Sequence, residues 1–365
     1  MWCFLLEAGS VAAQDSTACY EKDAMDVVFS RKPDLQDTLE RITTFFLPYA
    51  AYSPTTEFLF GLGGNFSFRL GKKYQTNLSA ANASIEVTTE KQIILQLKSN
   101  IFLGHNRWFL QGDWRFYLYN IPSFGLGTGR SSPIPCIPQV SEPSDPSSWD
   151  DAFRVKYNWL RIHEIITKRV GRDMYFGLGY HLDMHFDIQD LALRMEEGNT
   201  VITPHYAYSV QHGFNPDKYT VSGLSLNYVY DTRDNLINPY KGIYVNVNYR
   251  DFFTFLGSSQ NGSQLWTEFR TYINLEKKMP RHLLAFWLYG AFQVSGEIPY
   301  FDLRSTGFDQ LNSSGRGYVQ GRWRGEHIVY GEVEYRFPIS RCSQVLGGAL
   351  FVNATTASSR DLGTP

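Results

Sequence analysis

From about Thr56 onward, apolar residues recur at every second position for stretches of nine to thirteen residues. This period of two limits the fold more than any other feature, because it sends successive side chains to opposite faces of an extended strand and cannot line one face of a helix. In residues 58–70 the even positions are Phe58, Phe60, Leu62, Gly64, Phe66, Phe68 and Leu70, while the odd ones include Gly61, Gly63, Asn65, Ser67 and Arg69. Trp108, Leu110, Trp114, Phe116 and Leu118 likewise oppose Gln111, Asp113 and Arg115. Residues 176–188 set an apolar face ending in Phe186 and Ile188 against His181, Asp183, His185 and Asp187. Val329, Val333, Tyr335 and Phe337 oppose Tyr330, Glu332, Glu334 and Arg336. Further strands are expected near 80–90, 92–103, 153–168, 221–231, 243–250, 269–276, 283–296 and 346–356, about twelve in all.

Alternation alone also suits a soluble sandwich, so strand length has to decide. Soluble strands average about five or six residues, whereas a tilted strand needs about nine to eleven to cross a bilayer. A dozen strands of the longer kind predict an all-β, antiparallel up-and-down transmembrane barrel with its greasy face toward lipid. The mean hydropathy of -0.29 does not argue against this, since a barrel hides its apolar band in alternate residues. Aromatic residues near strand ends, among them Trp159, Tyr228, Tyr230, Tyr244, Phe252 and Phe337, suit interfacial girdles. Segments 119–151, 190–218 and 297–327 are long and rich in Gly, Ser, Pro and Asp; Glu90-Lys91, 238–242 and 277–281 are short, as expected for the two rims of such a barrel. With 34 Lys+Arg against 36 Asp+Glu the chain has no basic excess, and no nucleic-acid partner is expected.

Residues 1–13 read as the remnant of an export signal, from the apolar run at Trp2 to Leu6 and the small residues Val11, Ala12 and Ala13. Residues 14–55 read as a periplasmic leader and 56–365 as the barrel. Cys3, Cys19, Cys136 and Cys342 form no metal-binding pair, and no cofactor or metal is expected. The His181, Asp183, His185 and Asp187 ladder places side chains about 7 Å apart on one face, too far for one tetrahedral metal site, and reads as a polar lumen wall.

Two stretches go beyond composition. One is the turn Asp231-Thr232-Arg233-Asp234-Asn235 followed by Pro239 and Gly242. The other is a loop over 300–327 containing Gly315-Arg316-Gly317-Tyr318, followed by a strand with Glu332, Glu334, Arg336, Phe337 and Pro338. Together they resemble the BamA/TamA family, the bacterial surface antigen superfamily of outer-membrane assembly factors, in its D-[ST]-x-D-N…P-x-x-G turn and its inward-folded loop with a [VIL]-R-G-[FY] tip. The resemblance covers about residues 48–356. It implies that Arg316 reaches down the lumen to acidic groups, with Glu332 and Glu334 on the lumen-facing phase of the next strand as partners. Asn353 takes the place of the family's aspartate on the last expected strand, and Gly315 that of its aliphatic residue.

The resemblance also implies a bacterial outer-membrane location and contact with outer-membrane lipid. Its implied work is non-enzymatic: inserting or translocating outer-membrane components through a seam between first and last strands. Nascent outer-membrane proteins or accessory assembly proteins are the implied partners. The Gly61, Gly63 and Gly64 cluster suits a pliable strand at that seam. The stretch before the first strand is too short for a polypeptide-transport-associated (POTRA) module, and the last residues lack the family's closing strand. Two to four strands are therefore expected to be missing from an intact set of 14–16. A passive pore or surface antigen is the alternative, and an outer-membrane lipid hydrolase with a nucleophile on a barrel strand is a remote one.

Overall fold

The computed structural model describes residues 43–53, 56–71, 76–128, 153–197, 199–235, 238–276, 281–309, 313–339 and 346–362. In chain order the strands are β1 (Thr43–Ser53), β2 (Glu57–Phe68), β3 (Ser79–Thr88), β4 (Ile93–Leu103), β5 (Trp108–Pro122), β6 (Arg154–Gly171), β7 (Met174–Asp190), the short pair β8 (Arg194–Glu196) and β9 (Asn199–Val201), β10 (Tyr219–Asp231), β11 (Gly242–Phe252), β12 (Gly262–Asn274), β13 (Leu283–Gly296), the two-residue β14 (Arg304–Ser305) and β15 (Arg324–Gly325), β16 (His327–Pro338) and β17 (Gly347–Ser358). One α-helix, α1 (Pro204–Gln211), follows β9. Thirteen of these strands form a single sheet in which each is antiparallel to its neighbour in sequence, leaving out β8, β9, β14 and β15. Among the described residues, β1 and β17 are the two edges and are not paired with each other.

All twelve strands expected from the alternation are present, and the fold is all-β. The thirteenth, β1, lies within the stretch read as a leader, so the leader's boundary at 55 is corrected to no later than residue 42. Residues 1–42, including the signal-like segment, and all four cysteines lie outside the described residues.

Burial follows the membrane phase. Phe58, Phe60, Leu62, Trp114, Leu178, Leu226, Leu288 and Val333 are exposed on the outer face, while Arg115, Arg161, Asp183, Asn227, Arg250, Glu332 and Glu334 are buried on the inner one. No described helix is long and apolar enough to span a bilayer, so any crossing is made by strands. Main-sheet strands of 10 to 18 residues meet the length requirement.

On β7 the alternating phase breaks where the sequence gives no warning. Asp187 adopts φ +53°, and the β6–β7 register slips between Lys156 and Asn158. This bulge turns Asp187 outward and Ile188 inward, the reverse of their expected faces. The His/Asp ladder is thereby split. Three aromatics expected in the girdles also point inward: Trp159, Tyr244 and Phe252 are buried.

Antiparallel order puts the long connections 123–153, 191–218 and 297–326 on one rim. The Glu90-Lys91 turn lies on that same rim, contrary to the expected separation of short from long, and Glu90 accepts from Arg154 Nη1 and Asn120 Nδ2, both at 3.1 Å. Below this rim, Tyr117, Tyr119, Tyr157, Trp159, Tyr208, Tyr219 and Tyr300 form an apolar core inside the sheet. Phe301 stacks on Tyr157, with ring centroids 4.3 Å apart, and on His205 at 4.9 Å, so the 297–326 connection and α1 fill this end of the lumen.

Candidate functional site

The loop expected over 300–327 turns into the sheet's concave side. Tyr119 Oη donates to Gln320 Oε1 at 2.9 Å, and Gln264 Nε2 donates to the Asp302 carbonyl. Its tip is built by local polar chemistry. Asp309 Oδ2 accepts the Ser313 and Ser314 amides at 3.0 and 2.7 Å, Ser314 Oγ accepts the Gly307 amide, and the Tyr318 amide closes a turn on the Gly315 carbonyl. Gly315 and Gly317 have φ of +76° and +90°, the region that glycine enters without cost.

This turn presents Arg316 to β16. Its Nε donates to Glu332 Oε2 at 2.9 Å, and Nη2 donates to both Glu332 Oε1 and Glu334 Oε2. Glu332 and Glu334 lie five and seven residues past His327, so the tip reaches roughly 17–23 Å along the strand from its rim end at about 3.3 Å per residue. The Arg316 guanidinium lies 4.4 Å over the Phe351 ring, and Asn353 Nδ2 donates to the Arg316 carbonyl at 2.9 Å. Asn353 therefore holds the backbone of the tip. Tyr318, by contrast, is half exposed, with the Trp323 ring beside it.

The turn motif folds as a self-capped hairpin. Asp231 takes two hydrogen bonds from the Arg233 guanidinium, which stacks 4.2 Å over Tyr244. Asp234 Oδ1 accepts the Tyr240 and Lys241 amides, and Asn235 Oδ1 accepts the Asn238 amide. Gly242 has φ +108°, and a Cβ there would lie 2.5 Å from the Thr232 carbonyl oxygen. Pro239 is buried and lines a cavity of about 540 Å³ shared with Arg233, Arg270, Arg316, Glu332 and Glu334. The two motifs meet through a residue the sequence reading leaves without a role. Arg336 donates from Nε to Glu334 Oε1 and from Nη1 to Asn238 Oδ1 at 3.4 Å, so Glu334 joins the loop's Arg316 to Arg336, whose other end reaches the turn at Asn238.

The Omp85 superfamily domain matches residues 59–365. The chain belongs to the Omp85 superfamily. Its structure is similar to that of BamA from Haemophilus ducreyi lacking POTRA domains 1-3, with a TM-score of 0.53 at 17% identity. The match covers 91% of this chain and 62% of the other, so this chain spans less than two thirds of that structure. No curated protein matches the sequence. The chain is thus an outer-membrane β-barrel of the Omp85 type, with the loop and turn above as its most organised polar features.

Gly315 stands where the resemblance to the family leads one to expect an aliphatic residue. A Cβ there would meet Thr306 Cβ at 3.0 Å in a left-handed backbone. Restoring an aliphatic residue by Gly315→Val is therefore expected to destabilise the tip by about 1–3 kcal/mol, read as faster proteolysis within 300–327. A valine variant as resistant as the parent would contradict the tight Thr306 contact.

The rim is tied by a second cluster outside the spanning strands. His212, at the end of α1, bonds Glu297 at 2.8 Å through Nδ1 and Asp361 at 2.9 Å through Nε2, and Arg360 joins Glu297 to Glu326. Burial alone lowers the His212 pKa, but the hydrogen bond and charge of Asp361 and then Glu297 outweigh it, and the net shift is upward. Its contribution is full below the ordinary imidazole value of about 6.5 and is lost as pH rises through the higher folded value. Rim protection in hydrogen exchange is expected to fall across that window in the parent and to be flat in His212→Gln.

A Ser-His-Asp arrangement also occurs: Ser209 Oγ lies 3.4 Å from His205 Nε2, and His205 Nδ1 lies 2.7 Å from Asp190 Oδ2. Ser209 and His205 have no exposed surface, so no substrate carbonyl can approach the hydroxyl. Asp183 of the His/Asp ladder is taken by Arg161, His163 and Trp159. These residues hold the wall and the rim together.

Proposed function

We propose that this Omp85 barrel resides in a bacterial outer membrane and aids insertion or translocation of outer-membrane components at its sheet edge, by non-covalent work. The observation that carries this reading is the filled lumen. Tyr157, Tyr219, Phe301 and their neighbours fill one end, and the Arg316 tip lies against β16 and β17 beside the 540 Å³ cavity, so among the described residues aromatic packing blocks that end of the interior. Among the described residues β1 and β17 are the sheet edges, and the outer backbone groups of β1 can template a further strand.

The glycine-rich β2 behind that edge is better packed than its composition suggests. The Tyr49 ring of β1 lies across Gly61 and Gly63, where an added Cβ would sit 2.7 and 3.3 Å from its atoms, and its hydroxyl donates to Glu86 at 2.5 Å. Glycine here makes room for an aromatic bridge between the first strands. Clients would be nascent outer-membrane strands, and accessory assembly proteins and outer-membrane lipid would be the other partners. The test is reconstitution of the full chain in lipid vesicles with an unfolded barrel client, scored by heat-resistant mobility of the client. Accelerated folding supports the edge mechanism. Steady ion conductance in planar bilayers without acceleration would favour the passive pore.

A further inference from the structure

Above the 540 Å³ cavity lies a smaller one of about 50 Å³, and Gln111 and Glu268 line both, so the two adjoin. Two groups in its wall hold a buried polar atom without a partner, and a tyrosine lies beside them. Arg250 is buried, and among the described residues its guanidinium makes one hydrogen bond, Nε to Asn248 Oδ1 at 2.6 Å, leaves Nη1 unpaired and forms no ion pair, Asp183 acting on it only from beyond contact distance. His181 is buried with Nε2 on Ser225 Oγ and Nδ1 unpaired. Tyr289 is buried and lines the same cavity.

The carboxylates of the same wall are already engaged. Asp113 is held bidentately by Arg115, Glu268 accepts from Arg270, and Asp309 caps the loop tip. A second guanidinium, Arg304, lies 3.8 Å from the Trp266 ring centre, with Arg250 at 4.0 Å from the same ring, and it too has no carboxylate partner among the described residues. A buried cation left without a counter-charge is costly, and a buried polar group without a partner calls for a bound water or ion.

We propose that this cavity binds one small monovalent inorganic anion, of halide size, held by Arg250 with His181 and Tyr289 as further donors. The volume has room for a few water-sized bodies, at about 10–15 Å³ each. The facing carboxylates Asp113, Glu268 and Asp309 repel a polyvalent anion, which selects for single charge. The adjoining larger cavity gives the route in.

The test uses the full chain in detergent, with bromide as probe. Crystals grown in sodium bromide are expected to show an anomalous peak beside the Arg250 guanidinium. The unfolding temperature is expected to rise with chloride at fixed ionic strength against gluconate, since a ligand of the folded state stabilises it. Arg250→Gln should lose both, and Tyr289→Phe, which removes one donor and keeps the charge, should weaken the chloride response. An empty or water-filled cavity in bromide crystals overturns the proposal. So does an equal chloride response in parent and Arg250→Gln. If the glutamine variant does not fold, the parent crystal and Tyr289→Phe decide alone.

Discussion

Arg316→Ala is expected to free the loop tip from β16 and to abolish the resistance of residues 300–327 to protease in the otherwise folded barrel. The change strips Glu332 and Glu334 of a shared cation, and both carboxylates are nearly inaccessible, with side chains 5% and 7% exposed. Breaking a buried pair on one side costs about 3–5 kcal/mol. Arg316 itself is 37% exposed, so water screens part of that, and about 2–3 kcal/mol is the expected loss. Arg336 remains on Glu334 and Tyr330 Oη remains on Glu332 at 2.6 Å, which limits the damage to the loop. Arg316→Lys keeps the charge but cannot fork between two carboxylates, and its protection is expected to fall between parent and alanine. The check is limited proteolysis with mass mapping, together with mobility on unheated gels. Alanine and parent giving the same cleavage pattern would remove Arg316 from its proposed role as an anchor.

The contrast between Arg316 and its surroundings shows what the sequence makes legible. Strand phase is legible wherever period two is uninterrupted, and this alone places Glu332 and Glu334 on the inner face. β1 escapes because Phe45, Phe46 and Leu47 run consecutively and Pro48 follows, a pattern that argues against a central strand. An edge strand with one partner tolerates that proline, and among the described residues β1 pairs with β2 alone, Pro48 lying opposite Leu62. The fate of Asp187 and Ile188 turns on a single left-handed residue, for which a run of alternating types carries no signal. Trp159 and Tyr244 look like girdle residues by type, yet each lies beneath a guanidinium, Arg161 at 4.6 Å and Arg233 at 4.2 Å. Aromatic residues thus serve the polar lumen by lying against buried arginines, a pairing that needs three-dimensional neighbours to be seen. The joining role of Arg336 was hidden for the same reason, since its partner Asn238 is 98 residues away.

Asp183→Ala is expected to be the most damaging single change in the lumen wall. The carboxylate accepts from Arg161 Nε at 2.7 Å and Trp159 Nε1 at 3.0 Å, and lies 2.7 Å from His163 Nε2. Arg161 would be left with Asp113 at 3.6 Å, a group that Arg115 already holds by two bonds of 2.7 Å. Arg161 and Asp183 are almost wholly buried, so the orphaned guanidinium cannot recover its hydration, and the expected cost is about 3–5 kcal/mol. Asp183→Asn keeps an acceptor and loses the charge, so it should fall short of that. The decisive variant is the double change Asp183→Leu with Arg161→Met. If the cost comes from an unpaired charge, removing both partners restores most of the stability that alanine takes away. If the network instead fixes how β6 and β7 register around the Asp187 bulge, the double variant stays as unstable as the single one. Urea unfolding from lipid vesicles, followed by tryptophan fluorescence, separates these outcomes. Recovery by the double variant would mean that the polar wall is tolerated inside the barrel because each charge is matched, with strand pairing and the lipid-facing side chains supplying the stability.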